Sequence, residues 1–117
     1  MASGDVPVRL QATDALDQVF DNPSEQALWQ IVSGLRAGAN YFVMVQHLPD
    51  DSADGTYIQT AVLGDGRFTV EYQDGDVQHH FQAEVDTAQQ AYDVIVAWAS
   101  ERPGWREMLA WAPEPMD

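Results

Sequence analysis

Residues 41–85 have the sequence YFVMVQHLPDDSADGTYIQTAVLGDGRFTVEYQDGDVQHHFQAEV, and this stretch decides the fold. Four runs rich in β-branched and aromatic residues alternate with three turn clusters, each of which contains aspartate and glycine. The runs are residues 41–48, 56–63, 67–73 and 77–85. Because the connections between them are short, the pattern predicts a four-stranded antiparallel meander.

The last hairpin of this stretch carries a specific turn signal. Asp74-Gly75 is the dipeptide preferred in two-residue type I′ turns, and it predicts the register of the two strands around it. That register gathers the large apolar side chains of both strands on one face, which supports it. The predicted pairs are Phe68 with Phe81, Val70 with His79, and Tyr72 with Val77.

The preceding hairpin predicts the two faces of the sheet. Gly64-Asp65-Gly66 fits a three-residue loop with a glycine bulge. This loop places Ile58, Thr60 and Val62 on the apolar face, so the residues between them point to the other side. The second face is therefore predicted to be polar, and it carries Tyr57, Gln59, Glu71 and His80.

Helical periodicity flanks the meander on both sides. Ser24 is the predicted N-cap of a first helix, and Thr87 caps a second helix whose apolar stripe covers the apolar face of the sheet. The following stretch WREMLAWAPEP is predicted to be short helical or irregular. The chain is thus predicted to be one α+β domain, residues 1–117, with a four-stranded antiparallel meander and an N-terminal and a C-terminal helix packed on one face.

The first 22 residues allow more than one interpretation, either a loosely ordered arm or local structure. Residues 6–10 fit an edge strand or a frayed arm, and residues 13–20 fit a short helix. Residues 41–45 are apolar on both faces, although a simple meander leaves this strand at an edge. Either the N-terminal segment pairs with it, or the tail tryptophans cover its second face.

Composition restricts the function. The chain has 19 acidic and five basic residues, and its formal net charge is −14. Such a chain repels nucleic acid and anionic membranes, so the predicted partner is a basic protein. No apolar run approaches the roughly 20 residues of a membrane span, and the N-terminus lacks a signal pattern, which predicts a cytoplasmic location.

The sequence predicts no catalysis and no cofactor. There is no cysteine, and all five basic residues are arginine, which removes thiol chemistry and lysine Schiff bases. His79 and His80 point to opposite faces of a strand and cannot chelate one metal together. His79 is predicted to be a core histidine, and His80 to pair with Glu71 diagonally across the strands. We therefore expect no metal site, and a protein that is not an enzyme.

Aspartates cluster in the turns. The first and third turns of a meander lie at the same end of the sheet, so their carboxylates should converge there. Either these aspartates only form turns, or they make a negative rim that steers a basic partner. The residues are Asp50, Asp51, Asp54, Asp74 and Asp76. In the tail, Trp105 and Trp111 are candidates for half-exposed interface anchors. The basic partner is predicted to bind across the polar face (Tyr57, Gln59, Glu71 and His80) and this aspartate-rich end.

One stretch resembles a known family. Residues 57–75 (YIQTAVLGDGRFTVEYQDG), the following HHF, and the segment WASERPGWREMLAW resemble small bacterial immunity proteins, which neutralise polymorphic toxins encoded beside them. Their deaminase-toxin-associated family is described by a Glu-plus-Gly motif and a later Trp, here Glu71 and Gly75 with Trp105 or Trp111. The resemblance covers about residues 40–112 and implies an immunity protein that binds a cognate toxin domain. The alternative is an acidic adaptor or secretion-chaperone-like module.

Overall fold

A computed structural model describes residues 7–50, 52 and 55–113 of the chain. The α+β class is confirmed, but the sheet has seven antiparallel strands and not four. Its strand order is β2-β1-β3-β4-β5-β6-β7. The elements are β1 (Leu10–Asp14), β2 (Val19–Asp21), α1 (Glu25–Ser33), β3 (Phe42–His47), β4 (Gly55–Val62), β5 (Phe68–Gly75), β6 (His80–Val85), α2 (Ala88–Ala99), a 3-10 helix (Trp105–Glu107) and β7 (Ala112–Pro113).

The loop between β4 and β5 has the predicted form. Val62 pairs with Phe68, and the amide of Leu63 donates to the carbonyl of Arg67 at 2.7 Å. Three residues remain between Leu63 and Arg67, and the last of them, Gly66, has a φ of 88°. Glycine adopts this left-handed conformation without steric cost, which is why the sequence signal was sufficient here.

The predicted register of the β5–β6 hairpin is wrong by four residues. Tyr72 pairs with Phe81, and Phe68 pairs with Val85. The strands do not turn at Asp74-Gly75, because β5 continues to Gly75 and residues 76–79 form the connection. The Asp76 carboxylate accepts hydrogen bonds from the amides of Gln78 and His79 at 2.8 and 3.1 Å, which stabilises this wider turn. Since the displacement is an even number of residues, the predicted faces are unchanged.

The N-terminal segment pairs with the sheet, which was the first of the two alternatives for residues 41–45. Strand β1 lies between β2 and β3, and Ala12 pairs with Val45 on one side and Phe20 on the other. The short helix predicted for residues 13–20 is wrong. Asp14 accepts the amides of Leu16 and Gln18, each at 3.0 Å, and so forms a turn that reverses the chain.

Both predicted helix caps are present. Ser24 accepts the amide of Ala27 at 3.0 Å, and Thr87 forms a capping box with Gln90. Helix α2 packs across β3, β4, β5 and β6, while α1 packs against α2 and β3. Among the described residues, no helix is long and apolar enough to cross a membrane.

The core lies between the helices and one face of the sheet. Its central residues have no exposed surface; the strands contribute Val43, Val45, Ile58 and Val70, and α2 contributes Val94 and Ile95. Burial of each such side chain contributes about 1.5–3 kcal/mol. The other sheet face has no described helix on it, and its chemistry defines the candidate site.

Candidate functional site

The uncovered face of the sheet carries side chains in three rows, each of which runs across neighbouring strands. We call this surface the open face. Strand pairing places the members of each row side by side. The first row is Gln11, Gln46, Tyr57, Gln73 and His80; the second is Thr13, Met44, Gln59, Glu71 and Gln82; the third is Phe42, Ala61, Thr69 and Glu84.

The four predicted residues of the polar face lie together in this grid. Gln59 donates a hydrogen bond to Oε2 of Glu71, its direct neighbour on β5. The His80 Nε2 atom lies 3.9 Å from the same carboxylate oxygen. The rings of Tyr57 and His80 meet edge to face, with their centroids 6.1 Å apart. Their positions on one face follow from strand alternation alone, which is why the sequence identified them.

The diagonal contact of His80 with Glu71 is present although the register was wrong. In the structure Glu71 pairs with Gln82, two residues after His80. In the predicted register it paired with Gln78, two residues before His80. A displacement of four residues exchanges one diagonal neighbour for the other, so the contact is preserved.

One member of this cluster was missed. Gln73 is only 4% exposed, and its side chain bonds His80 Nδ1 at 3.2 Å and the Gly55 carbonyl at 3.2 Å. Because a buried amide requires hydrogen-bond partners, Gln73 holds the His80 ring in position. Strand alternation places Gln73 on the same face as Glu71, but it gives no indication that the Gln73 side chain is buried. We call Tyr57, Gln59, Glu71, Gln73 and His80 the polar cluster.

The open face also has an apolar part beside the polar cluster. Phe42, Met44 and Ala61 are partly buried on it, and Val19 of the adjoining hairpin is 55% exposed. A cavity of about 250 Å³ opens here. It is lined by Tyr41, Phe42, Gln59, Ala61, Thr69 and Glu71. This cavity was not predicted, because it depends on the register between β3 and β4, which places Phe42 beside Ala61.

The aspartate-rich turns do meet at one end of the sheet, where Gly55 pairs with Gly75. Asp50 accepts hydrogen bonds from the Ser52 hydroxyl and from the amides of Ser52 and Thr56. These bonds lower the pKa of its carboxyl. The Asp50 carboxylate therefore stabilises the conformation of the loop in which it lies. Asp51 and Asp54 lie outside the described residues.

Asp74 and Asp76 also have partners within the chain. Asp74 forms an ion pair with Arg106 at 2.7 Å. Asp76 pairs with His79 Nδ1 at 2.9 Å, in addition to its bonds to the turn amides. His79 is thus an exposed turn residue, and its prediction as a core histidine is wrong because the register displaces it from β6 into the turn.

The tail tryptophans lie on the side of the sheet that carries the helices. The rings of Trp105 and Trp111 contact Tyr72 edge to face, with centroids 4.8 and 4.7 Å from its ring. The Arg106 guanidinium lies 5.1 Å from the centre of the Trp105 ring. Both tryptophans are partly buried, so they extend the core and are not part of the open face.

Elsewhere, a cavity of about 440 Å³ lies at the C-terminal end of α2. Its wall includes His47, Trp98, Arg102 and Arg106. Arg102 already pairs with Glu25 at 3.2 Å, and Arg106 with Asp74, so both cations are neutralised locally. In the part of the chain that the structure describes, no group of three or more histidine, aspartate or glutamate side chains could hold a metal ion.

Comparison with protein-family models, with curated proteins and with solved structures found no match for this chain.

Proposed function

We propose that this protein is an immunity protein that binds a cognate bacterial toxin domain through its open face and thereby neutralises it. The proposal includes the absence of catalysis and of a cofactor, and a basic surface on the toxin. The polar cluster and the apolar part beside it form the contact surface. The proposed contact surface is smaller than the one expected from the sequence, because Trp105, Trp111 and Asp74 have partners on the other side of the sheet.

The observation that carries the proposal is the one-sided construction of the fold. Both helices cover one face of the sheet, while the open face is without a described covering element. That face combines aromatic, amide, carboxylate and thioether side chains within a few rows. Protein interfaces are enriched in aromatic residues and methionine relative to the rest of the surface.

Charge supports a basic partner. The net charge of −14 makes the whole molecule attract positively charged surfaces, and such steering accelerates association by about 10 to 1,000-fold at low salt. Individual exposed carboxylates contribute little affinity, about 0–1 kcal/mol each. Affinity should therefore depend on the centre of the open face, where Tyr57 and Glu71 lie.

The test is protection of growth. Toxin domains encoded beside the gene are expressed in a bacterial host, alone or together with this protein. We expect the wild-type protein to restore growth, and Tyr57→Ala to weaken toxin binding about 30-fold or more, as truncation of an interface anchor does. Binding of the purified pair is measured by surface plasmon resonance.

The matched control is Met108→Ala, which truncates an exposed residue on the side of the helices. It should bind as the wild type does. Binding without protection of growth would favour the acidic adaptor or secretion-chaperone alternative. Equal loss in both variants would contradict the open face as the contact surface.

A further inference from the structure

The cavity in the apolar part of the open face has a defined shape. Phe42, Ala61 and Thr69 are consecutive members of one row, and Ala61 in the middle carries only a methyl group. The neighbouring side chains are larger than this methyl group, so a depression forms over Ala61. Gln59 and Glu71 close it on the side of the next row, and Tyr41 on the opposite side.

One wall of the cavity is aromatic and the opposite wall holds a carboxylate. The rings of Tyr41 and Phe42 meet edge to face with their centroids 5.1 Å apart, and Tyr41 is 48% exposed. The opposite wall holds the Glu71 carboxylate, whose side chain is 21% exposed. Its Oε2 atom accepts the Gln59 amide, while Oε1 accepts no hydrogen bond from the described residues.

We propose that this cavity accepts an arginine side chain of the partner protein, with the guanidinium stacked on the aromatic wall and donating to Glu71. A guanidinium combines a flat face that stacks on aromatic rings with several N–H donors suited to a carboxylate. The volume of about 250 Å³ is below the roughly 300–1,000 Å³ of sites for drug-sized ligands, and it suits one long side chain. The inference rests on the proposed function, because the partner supplies the arginine.

Other occupants fit less well. A phosphate or carboxylate would meet Glu71 in a protein whose net charge is −14. An ammonium group has no flat face and is more strongly hydrated, so the aromatic wall stabilises it less. An uncharged apolar side chain would leave the carboxylate desolvated without a new partner.

The test needs no partner protein. The isotope-labelled chain is titrated with N-acetyl-arginine amide, and the matched lysine compound is titrated in parallel, while backbone amide signals are followed by NMR. We expect saturable shifts at Ala61, Thr69 and Glu71 with a dissociation constant on the order of 1 mM, as for a single anchored group. Glu71→Gln should weaken this binding about tenfold or more, because a charge-assisted pair is lost. Tyr41→Ala should weaken it as well.

The control is Asp93→Asn, which removes one negative charge from the exposed side of α2 and should leave the binding unchanged. Linear shifts spread over the molecule, equal shifts with the lysine compound, or unchanged binding by Glu71→Gln would each overturn the arginine site. The growth experiment is independent of these outcomes. Protection that survives Glu71→Gln, with no arginine binding, would remove this inference and leave the proposed function intact.

Discussion

At the residue scale, several acidic side chains of this protein accept hydrogen bonds from its own backbone amides. Asp14, Asp50 and Asp76 each accept at least two backbone amides in a turn. Short carboxylates do this because they reach the amides of the turn that follows them, here two to six residues further along the chain. Asp50 and Asp76 thus each form a turn in the structure. An Asp50→Asn exchange would disturb a loop and would be a poor measure of electrostatic steering.

Asp14 provides a prediction for pH dependence. Burial by itself would raise the pKa of this carboxyl, but hydrogen bonds from Asn40 and from the amides of Gln18 and Leu16 outweigh burial and lower it. The carboxylate therefore stabilises the fold above the unfolded-state pKa of about 3.9, and this contribution is lost as pH falls through the lowered folded-state value. We expect Asp14→Asn to reduce the free energy of unfolding by about 1–3 kcal/mol near pH 7.

The measurement is urea unfolding of both proteins at several pH values. The difference between them should shrink as the pH falls below about 4, because asparagine does not titrate. Asp93→Asn, an exposed exchange, should stay within about 0.5 kcal/mol of the wild type throughout. A constant difference for Asp14→Asn at every pH would contradict the role of its charge.

Tyr72 and Phe81 provide a second prediction at this scale. The two rings stack with centroids 5.0 Å apart, but Tyr72 is 6% exposed and also contacts both tail tryptophans. We expect Tyr72→Ala to cost about 3–5 kcal/mol, and Phe81→Ala about 1–3 kcal/mol because it is only partly buried. Thermal and urea unfolding would show which variant loses more stability, and a larger loss of unfolding free energy for Phe81→Ala would contradict the prediction.

At the scale of elements, the helix caps and one of the two turn signals were predictive, whereas the Asp74-Gly75 signal and the pairing of the terminal strands were not. Ser24, Thr87 and the loop Gly64–Gly66 are determined by residues a few positions apart, and all three were predicted. Strands β1 and β7 pair with the distant strands β3 and β6, β2 is a three-residue edge strand beside β1, and the sequence pattern of all three is short. Strand alternation predicted the polar cluster except Gln73. The cavity over Ala61 depends in addition on Phe42 pairing with Ala61, and the long turn between β3 and β4 did not predict that register.

The β5–β6 register can be tested by engineered disulfides, since the chain contains no cysteine. Thr69 pairs with Glu84 in the structure, whereas the two-residue turn would pair it with His80. Directly paired residues are close enough for a disulfide, and those displaced by four positions exceed the limit of about 7 Å between Cα atoms. We expect Thr69→Cys/Glu84→Cys to oxidise readily to an intramolecular disulfide, detected by mass spectrometry. Faster oxidation of Thr69→Cys/His80→Cys would support the other register.

At the scale of the whole molecule, negative charge exceeds what the arginines neutralise. Arg67, Arg102 and Arg106 form ion pairs with acidic side chains, yet the net charge remains −14. Repulsion among the remaining carboxylates opposes compact folding and is screened by salt. The net negative charge therefore lowers the stability of the folded protein.

We expect the melting temperature to rise between about 10 and 150 mM sodium chloride, as the Debye length falls from about 30 to 8 Å. The combined variant Asp93→Asn/Glu101→Gln/Glu107→Gln removes three negative charges outside the open face. At low salt its melting temperature should be higher than that of the wild type, and it should rise less as salt is added. Calorimetry checks both slopes, and a falling melting temperature would mean that the surface ion pairs outweigh the repulsion.

The two ends of the strand order have a consequence for the behaviour of the protein at high concentration. A sheet bordered by long strands offers rows of unpaired backbone groups, on which further copies can add to form a fibre. Here the outermost strands among the described residues are β2, with three residues, and β7, with two. Pro113 of β7 has no N–H to donate. The protein can therefore reach a high concentration with little risk of edge-to-edge polymerisation.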